Sequence, residues 1–132
     1  MQNDTVFSKI IRGEIPATKV YEDEKCIAIL DINPVTKGHT LLIPKEPYEW
    51  VQDVPDALVA HLFIQAKHLL SAIKKGLSCD YVQLSVVGKD VPHVHIHLIP
   101  RFFNDTLEGW STLSYENQDE KERFGEAIRK SI

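Results

Sequence analysis

Between Pro92 and Pro100 a histidine stands at every second position, with Val94, Ile96 and Leu98 filling the gaps. A period of two marks an extended strand, whose successive side chains point to opposite faces. The spacing predicts a β-strand over 93–99. It would bury Val94, Ile96 and Leu98 against a core and line up His93, His95 and His97 along an open face. A core has no use for three imidazoles on one side, so the run reads as a site rather than as packing.

The spacing also narrows the chemistry. Alternate strand residues lie about 6.6 Å apart, which puts the Cα atoms of His93 and His97 about 13 Å from each other. Neighbouring rings can chelate a metal through nitrogen bonds of about 2 Å. All three reach it only by leaning inward, with other ligands completing the sphere. A row of donors suits a long anion such as a phosphate chain. Neutral imidazole also attacks phosphorus, and a reference pKa of about 6.5 lets neighbouring rings differ in protonation at neutral pH. Chance surface histidines on an edge strand would explain one such residue better than three.

The run His93-Val94-His95-Ile96-His97-Leu98-Ile99 matches, at every position, the motif His-φ-His-φ-His-φ-φ, with φ hydrophobic. In this the chain resembles the histidine triad (HIT) family, in its Hint-like branch of nucleotide hydrolases and transferases. Thr5 to Ala17 is similar to that family's amino-terminal signature. Asp31-Ile32-Asn33-Pro34, followed by Gly38-His39 and Thr40 to Lys45, is similar to its second block. The resemblance covers most of residues 5–101.

The resemblance implies an α+β fold, with Val6, Phe7 and Ile10 forming part of a nucleoside pocket. It makes Asp31 the carboxylate that accepts the ribose hydroxyls, with Ile32 beside the base. His95 would be the nucleophile toward the α-phosphorus, and His97 a donor to a phosphate oxygen. His93 and His39 would hold the cluster together. His95 must present a lone pair, so its other ring nitrogen should donate to a backbone carbonyl.

The implied reaction is hydrolysis or transfer of nucleoside 5′-phosphoramidates or related nucleoside 5′-phosphate derivatives, purine favoured. It would pass through a nucleotidyl-histidine and need no cofactor. A dinucleoside polyphosphate hydrolase and a nucleotide-binding sensor or adaptor with little turnover are the alternatives. The family also implies a homodimer.

Three departures from the family pattern carry expectations of their own. Some members hold a structural zinc with Cys-x-x-Cys in the first block and a His after the Pro-Lys of the second. Here those positions are Thr5, Ser8 and Pro47, poor zinc ligands, so no metal site is expected. The approach to the triad, Val86 to His93, is short and lacks the usual Asn and Gly-Gln. Phosphate contacts then fall to the backbone N–H groups of Lys89 to Val91 or to the Lys89 side chain. Leu30 stands where some relatives carry a polar or aromatic residue near the base.

The rest of the chain fits one domain of 132 residues, with 43% hydrophobic residues to build a core. A net charge of −4 argues against a general nucleic-acid binder. The spacing of Cys26 and Cys79 implies no disulfide framework, and the amino terminus shows no signal sequence. A cytoplasmic protein with no membrane segment is the expectation.

Local patterns predict a short helix from Asp4 or Thr5 to about Arg12. A hairpin of strands over 19–22 and 26–30 follows, then a strand over 40–44. A long helix capped by Asp53 would run through Lys74 to a stop at Gly76, with His61 and His68 solvated. A strand over 81–87 would turn at Gly88-Lys89-Asp90 directly into the histidine strand. Residues 104–116 read as loop, and Asn117 with Glu120 as the capping box of a last helix carrying Phe124 and Ile128. The whole is an α+β domain: about five mostly antiparallel strands packed on one long helix, with one or two shorter ones.

Overall fold

The sheet explains why three histidines can share a face. In the computed structural model, which describes residues 4–107 and 110–132, five strands form one fully antiparallel sheet. They are β1 (Lys19–Glu22), β2 (Cys26–Leu30), β3 (Thr40–Pro44), β4 (Tyr81–Ser85) and β5 (Ile96–Arg101). Their order is β1-β2-β3-β5-β4, so β3 and β5 are interior and β4 is an edge. Three α-helices complete the fold: α1 (Val6–Ile11), α2 (Asp56–Leu77) and α3 (Gln118–Arg129).

Both faces of the sheet are covered, which is why β2 and β3 are buried at every position. On one face Ala28, Leu30, Leu42, Ile96 and Leu98 pack with Leu62, Ala66, Leu69 and Ile73 of α2 and Ile128 of α3. On the other, Ile27, Ile29, Leu41 and Ile43 pack beneath Phe7 and Ile10 of α1. Thr5 caps α1 by accepting from the Ser8 amide at 3.2 Å, and Asn117 caps α3 by accepting from Glu120 at 2.8 Å. Neither cysteine is in a disulfide, and both are buried. No described helix is long and apolar enough to cross a membrane.

Five local expectations are corrected. The ladder of β5 begins at Ile96 and runs through Pro100 to Arg101, so His93 and His95 lie in the segment entering the strand. The alternation nevertheless survives, with Val94 in the α2-side core. Strand β4 stops at Ser85, and residues 86–95 form a long connection rather than a tight turn.

Helix α2 starts at Asp56, after a 3-10 turn over Val51–Asp53, and Asp53 does not cap it. The helix also passes through Gly76 and ends at Ser78, whose φ is +54°. Gly76 is a close helix–helix approach: a Cβ there would run into the Ala127 carbonyl of α3. Lastly, His61 is half-buried and bonded to Asp23 at 2.8 Å, while His68 is exposed as expected. In the loop expected over 104–116, Glu108 and Gly109 lie outside the described residues.

Gly38, just before β3, is required twice over. Its φ is +100°, and a Cβ would land on the Leu77 side chain and within 3.3 Å of Pro100. Gly38→Ala should cost about 2 kcal/mol or more, seen as a lower urea midpoint at unchanged slope. A loss under about 0.5 kcal/mol, the range of ordinary surface changes, would contradict this packing.

Candidate functional site

Strand register brings the histidines together. His97 in β5 sits opposite Leu41 of β3 and Ser85 of β4, and His39 immediately precedes β3. The His95 and His97 ring centroids are 4.8 Å apart, and those of His39 and His97 5.2 Å. The face is not open: all four imidazoles are buried, His39 and His93 completely. Phe7 stands edge-on to His95 at 4.9 Å, and Trp110 covers His97 at 4.9 Å.

Hydrogen bonds assign the tautomers. The Val35 amide donates to His39 Nδ1 at 3.0 Å, so the proton of neutral His39 is on Nε2. That proton is donated to His97 Nδ1 at 2.9 Å, which leaves the His97 proton on Nε2. His95 Nδ1 lies 2.7 Å from the His93 carbonyl oxygen, which can only accept, so His95 carries its proton on Nδ1 and a lone pair on Nε2. His93 Nε2 donates likewise to the Pro44 carbonyl at 2.8 Å. Its Nδ1 is buried with no hydrogen-bond partner among the described residues.

Burial disfavours the charged form of three of these rings. It lowers His39 to about 3 and His97 to about 4, reinforced in both by the neighbouring His95 ring, and it lowers His93 as well. It raises the Asp31 carboxyl, against the pull of the Asn33 amide, His95 and Lys121.

The other predicted residues gather in one place. Val6, Phe7, Ile10, Asp31 and Ile32 line a single cavity of about 130 Å³ together with Leu30, Leu41 and Lys121. Asp31 Oδ1 accepts from the Asn33 amide at 2.9 Å, shaping the loop that carries it. Lys89 stands apart, exposed on the long connection. Its neighbour Gly88, with Trp50, Val86, Val87, Val94 and His95, lines a second cavity of about 170 Å³. His95 therefore borders this second space and, through Phe7, the first.

Several contributors had no readable signal in the sequence. Trp110 covers His97 and His39, and Tyr115 accepts from the Gly38 amide at 2.9 Å. The segment that carries them is tethered by the Leu113 amide to the Pro34 carbonyl at 2.6 Å. Lys121 comes from α3, whose position beneath Asp31 follows only from the tertiary fold.

Metal binding was tested against the donor set. Oxygen and nitrogen atoms of Asp31, His39 and His97 lie within 4.8 Å of one another. The two imidazole nitrogens in that set are hydrogen-bonded to each other, so a cation there must break the bond that fixes His97. In the first block, Thr5 and Ser8 hydroxyls pair at 3.3 Å, and the Pro47 side chain has no donor atom, so these positions do not fit zinc.

Comparison with known proteins agrees with this geometry. A family model described as the HIT domain matches residues 12–104. The chain is 42% identical over 119 residues to the adenylylsulfatase HINT3 of Arabidopsis thaliana, covering 86% of this chain and 59% of that protein. It thus spans less than two thirds of that relative. A HIT-like protein from Bartonella henselae superposes with a TM-score of 0.90 at 29% identity, over 100% of this chain and 98% of the other. A zinc-bound histidine triad protein from Mycobacterium smegmatis does so at 0.85 and 32% identity, over 96% and 91%.

The depressed histidines predict a pH dependence with a definite sign. Unfolded, they take up protons near their ordinary 6.5, and folded only near 3 and 4. Their contribution is complete above pH 6.5 and is lost on acidification toward pH 4, on the order of 1 kcal/mol per pH unit for each ring. Asp31, raised by burial, acts in the opposite sense near the bottom of that window. Denaturation midpoints should fall between pH 6.5 and 4, and less steeply in His97→Gln. Equal slopes in the two proteins would show that His97 does not fold as a neutral ring.

Proposed function

The chain belongs to the histidine triad (HIT) family of nucleotide-binding hydrolases and transferases, and from that we propose that it cleaves nucleoside 5′-phosphate derivatives at the α-phosphorus through His95. The observation that carries this reading is the hydrogen bond from His95 Nδ1 to the His93 carbonyl, which leaves Nε2 with its lone pair. That nitrogen forms the bond to phosphorus while the bond to the leaving group breaks. The leaving group departs with the electron pair and takes up a proton. Water then attacks phosphorus and gives up a proton, which balances the one taken by the leaving group, while the phosphorus–nitrogen bond breaks and its pair returns to Nε2.

The neighbours have defined tasks in this scheme. His97 Nε2–H donates to a phosphate oxygen as charge builds there, and His39 fixes that donor by filling His97 Nδ1. His93 acts through its carbonyl and is held by Pro44. Val6, Phe7, Ile10, Asp31 and Ile32 hold the nucleoside, with Asp31 accepting ribose hydroxyls. Lys89, exposed on the long connection, is the cation assigned to the phosphate in this scheme.

A compact leaving group is the reading favoured: the Arabidopsis relative is named an adenylylsulfatase, and sulfate is small beside a second nucleoside. Turnover of adenosine 5′-phosphoramidate, adenylyl sulfate and diadenosine polyphosphates, compared side by side, separates these readings.

A homodimer is part of the proposal. Edge strand β4 and the connection after it expose Tyr81, Leu84, Val86 and Val87. Pairing this edge across a two-fold axis would cover them and close the sheet. No structural zinc is proposed; stoichiometric zinc in purified protein would contradict that.

The direct test is His95→Gln. It should lower kcat by at least about 10³-fold, the scale of losing a nucleophile, while nucleoside monophosphate binding stays within about threefold. Rapid quenching of the parent protein should trap a nucleotidyl adduct on His95 by mass spectrometry. Undiminished turnover in the variant sinks the mechanism, and nucleotide binding with neither turnover nor adduct makes the protein a sensor.

A further inference from the structure

Lys121 occupies a place that folding alone disfavours. It lies in the first turn of α3, where the helix dipole repels a cation, and only 9% of it is exposed. No carboxylate lies within ion-pair distance of it among the described residues, although the preceding residue, Glu120, pairs with Lys37 at 2.9 Å. Burial lowers the Lys121 ammonium, opposed by the charges of Asp31 and Glu122. Among the described residues no protein acceptor holds its ammonium, and the nitrogen is not sealed from solvent, so a ligand entering beside it can supply one.

The cavity it lines supplies the context. Lys121 shares the space of about 130 Å³ with Asp31 and with the apolar side chains of Phe7, Ile10 and Ile29. Its ammonium has hydrogens to donate and no lone pair. Asp31 is the complement: Oδ1 is taken by the Asn33 amide, and among the described residues Oδ2 has no hydrogen-bond partner, with His39 Nε2 at 3.8 Å and turned to His97. A group that both donates and accepts can satisfy the two together. An alcohol hydroxyl does this, giving its proton to the carboxylate and its lone pair to the ammonium.

We propose that Lys121 and Asp31 read a ribose hydroxyl as a pair, so that the carboxyl-terminal helix makes the site selective for ribonucleotides over deoxyribonucleotides. This rests on the nucleoside pocket described above and adds to it a specificity residue from outside the three family blocks. Removing the hydroxyl leaves an ammonium and a carboxylate facing an apolar wall. The penalty is of the kind imposed when a site built for a hydroxyl meets a ligand lacking one.

Calorimetric titration of the full chain with adenosine 5′-monophosphate and its 2′-deoxy and 3′-deoxy forms tests the pair. The parent protein should bind at least one deoxy form about 10- to 100-fold more weakly than the ribonucleotide. In Lys121→Gln and Lys121→Met that ratio should shrink to about threefold or less. Lys121→Met should melt close to the parent, because among the described residues the ammonium has no protein partner to lose.

Three results would overturn the pairing. They are a parent that binds all three nucleotides equally, a ribo-to-deoxy ratio unchanged in both variants, or a variant whose only defect is a lower melting temperature. Absence of any nucleotide binding by the parent would instead remove the nucleoside pocket itself, and the pairing with it.

Discussion

The hydrogen bond from the Val35 amide to His39 Nδ1 settles more of this molecule than its size suggests. A main-chain N–H can only donate, so it dictates which nitrogen of His39 is bare and which is protonated. That choice passes through the 2.9 Å contact to His97 and presents an N–H from its far side. His93 and His95 take their tautomers from carbonyl oxygens in the same way. Three rings are set by a backbone group and His97 through His39, and burial keeps His39, His93 and His97 uncharged while this happens. A solvated row would exchange tautomers freely and lose the difference between a ring with a bare Nε2 and a ring with a protonated one.

The fold supplies the rigidity this needs. Interior strands β3 and β5 put His97 in register with Leu41, and the loop from Asp31 to His39 folds back so that Val35 reaches the ring four residues on. Gly38 permits that loop to pass under Leu77 and Pro100. Apolar layers on both faces of the sheet exclude water from the imidazoles and hold the strands at fixed spacing.

Much of this was legible in the chain. The alternation around His95 located the histidine cluster, the strand patterns located β1, β2 and β3, and Asn117 with Glu120 located the start of α3. What failed did so for identifiable reasons. Gly76 reads as a helix stop, yet α3 needs its missing Cβ, a tertiary cause that no local pattern carries. The histidine face reads as open because period two reports sidedness and not cover, and Phe7 and Trp110 arrive from distant segments. Lys121 was invisible for the same reason.

The central claim is that backbone partners assign a unique neutral tautomer to each ring in the cluster. Long-range proton–nitrogen correlation spectra of protein labelled with ¹⁵N at histidine, recorded at pH 8, read this directly. The account predicts His95 protonated on Nδ1 and His39, His93 and His97 each protonated on Nε2. A proton on Nε2 of His95, or on Nδ1 of His97, would contradict it.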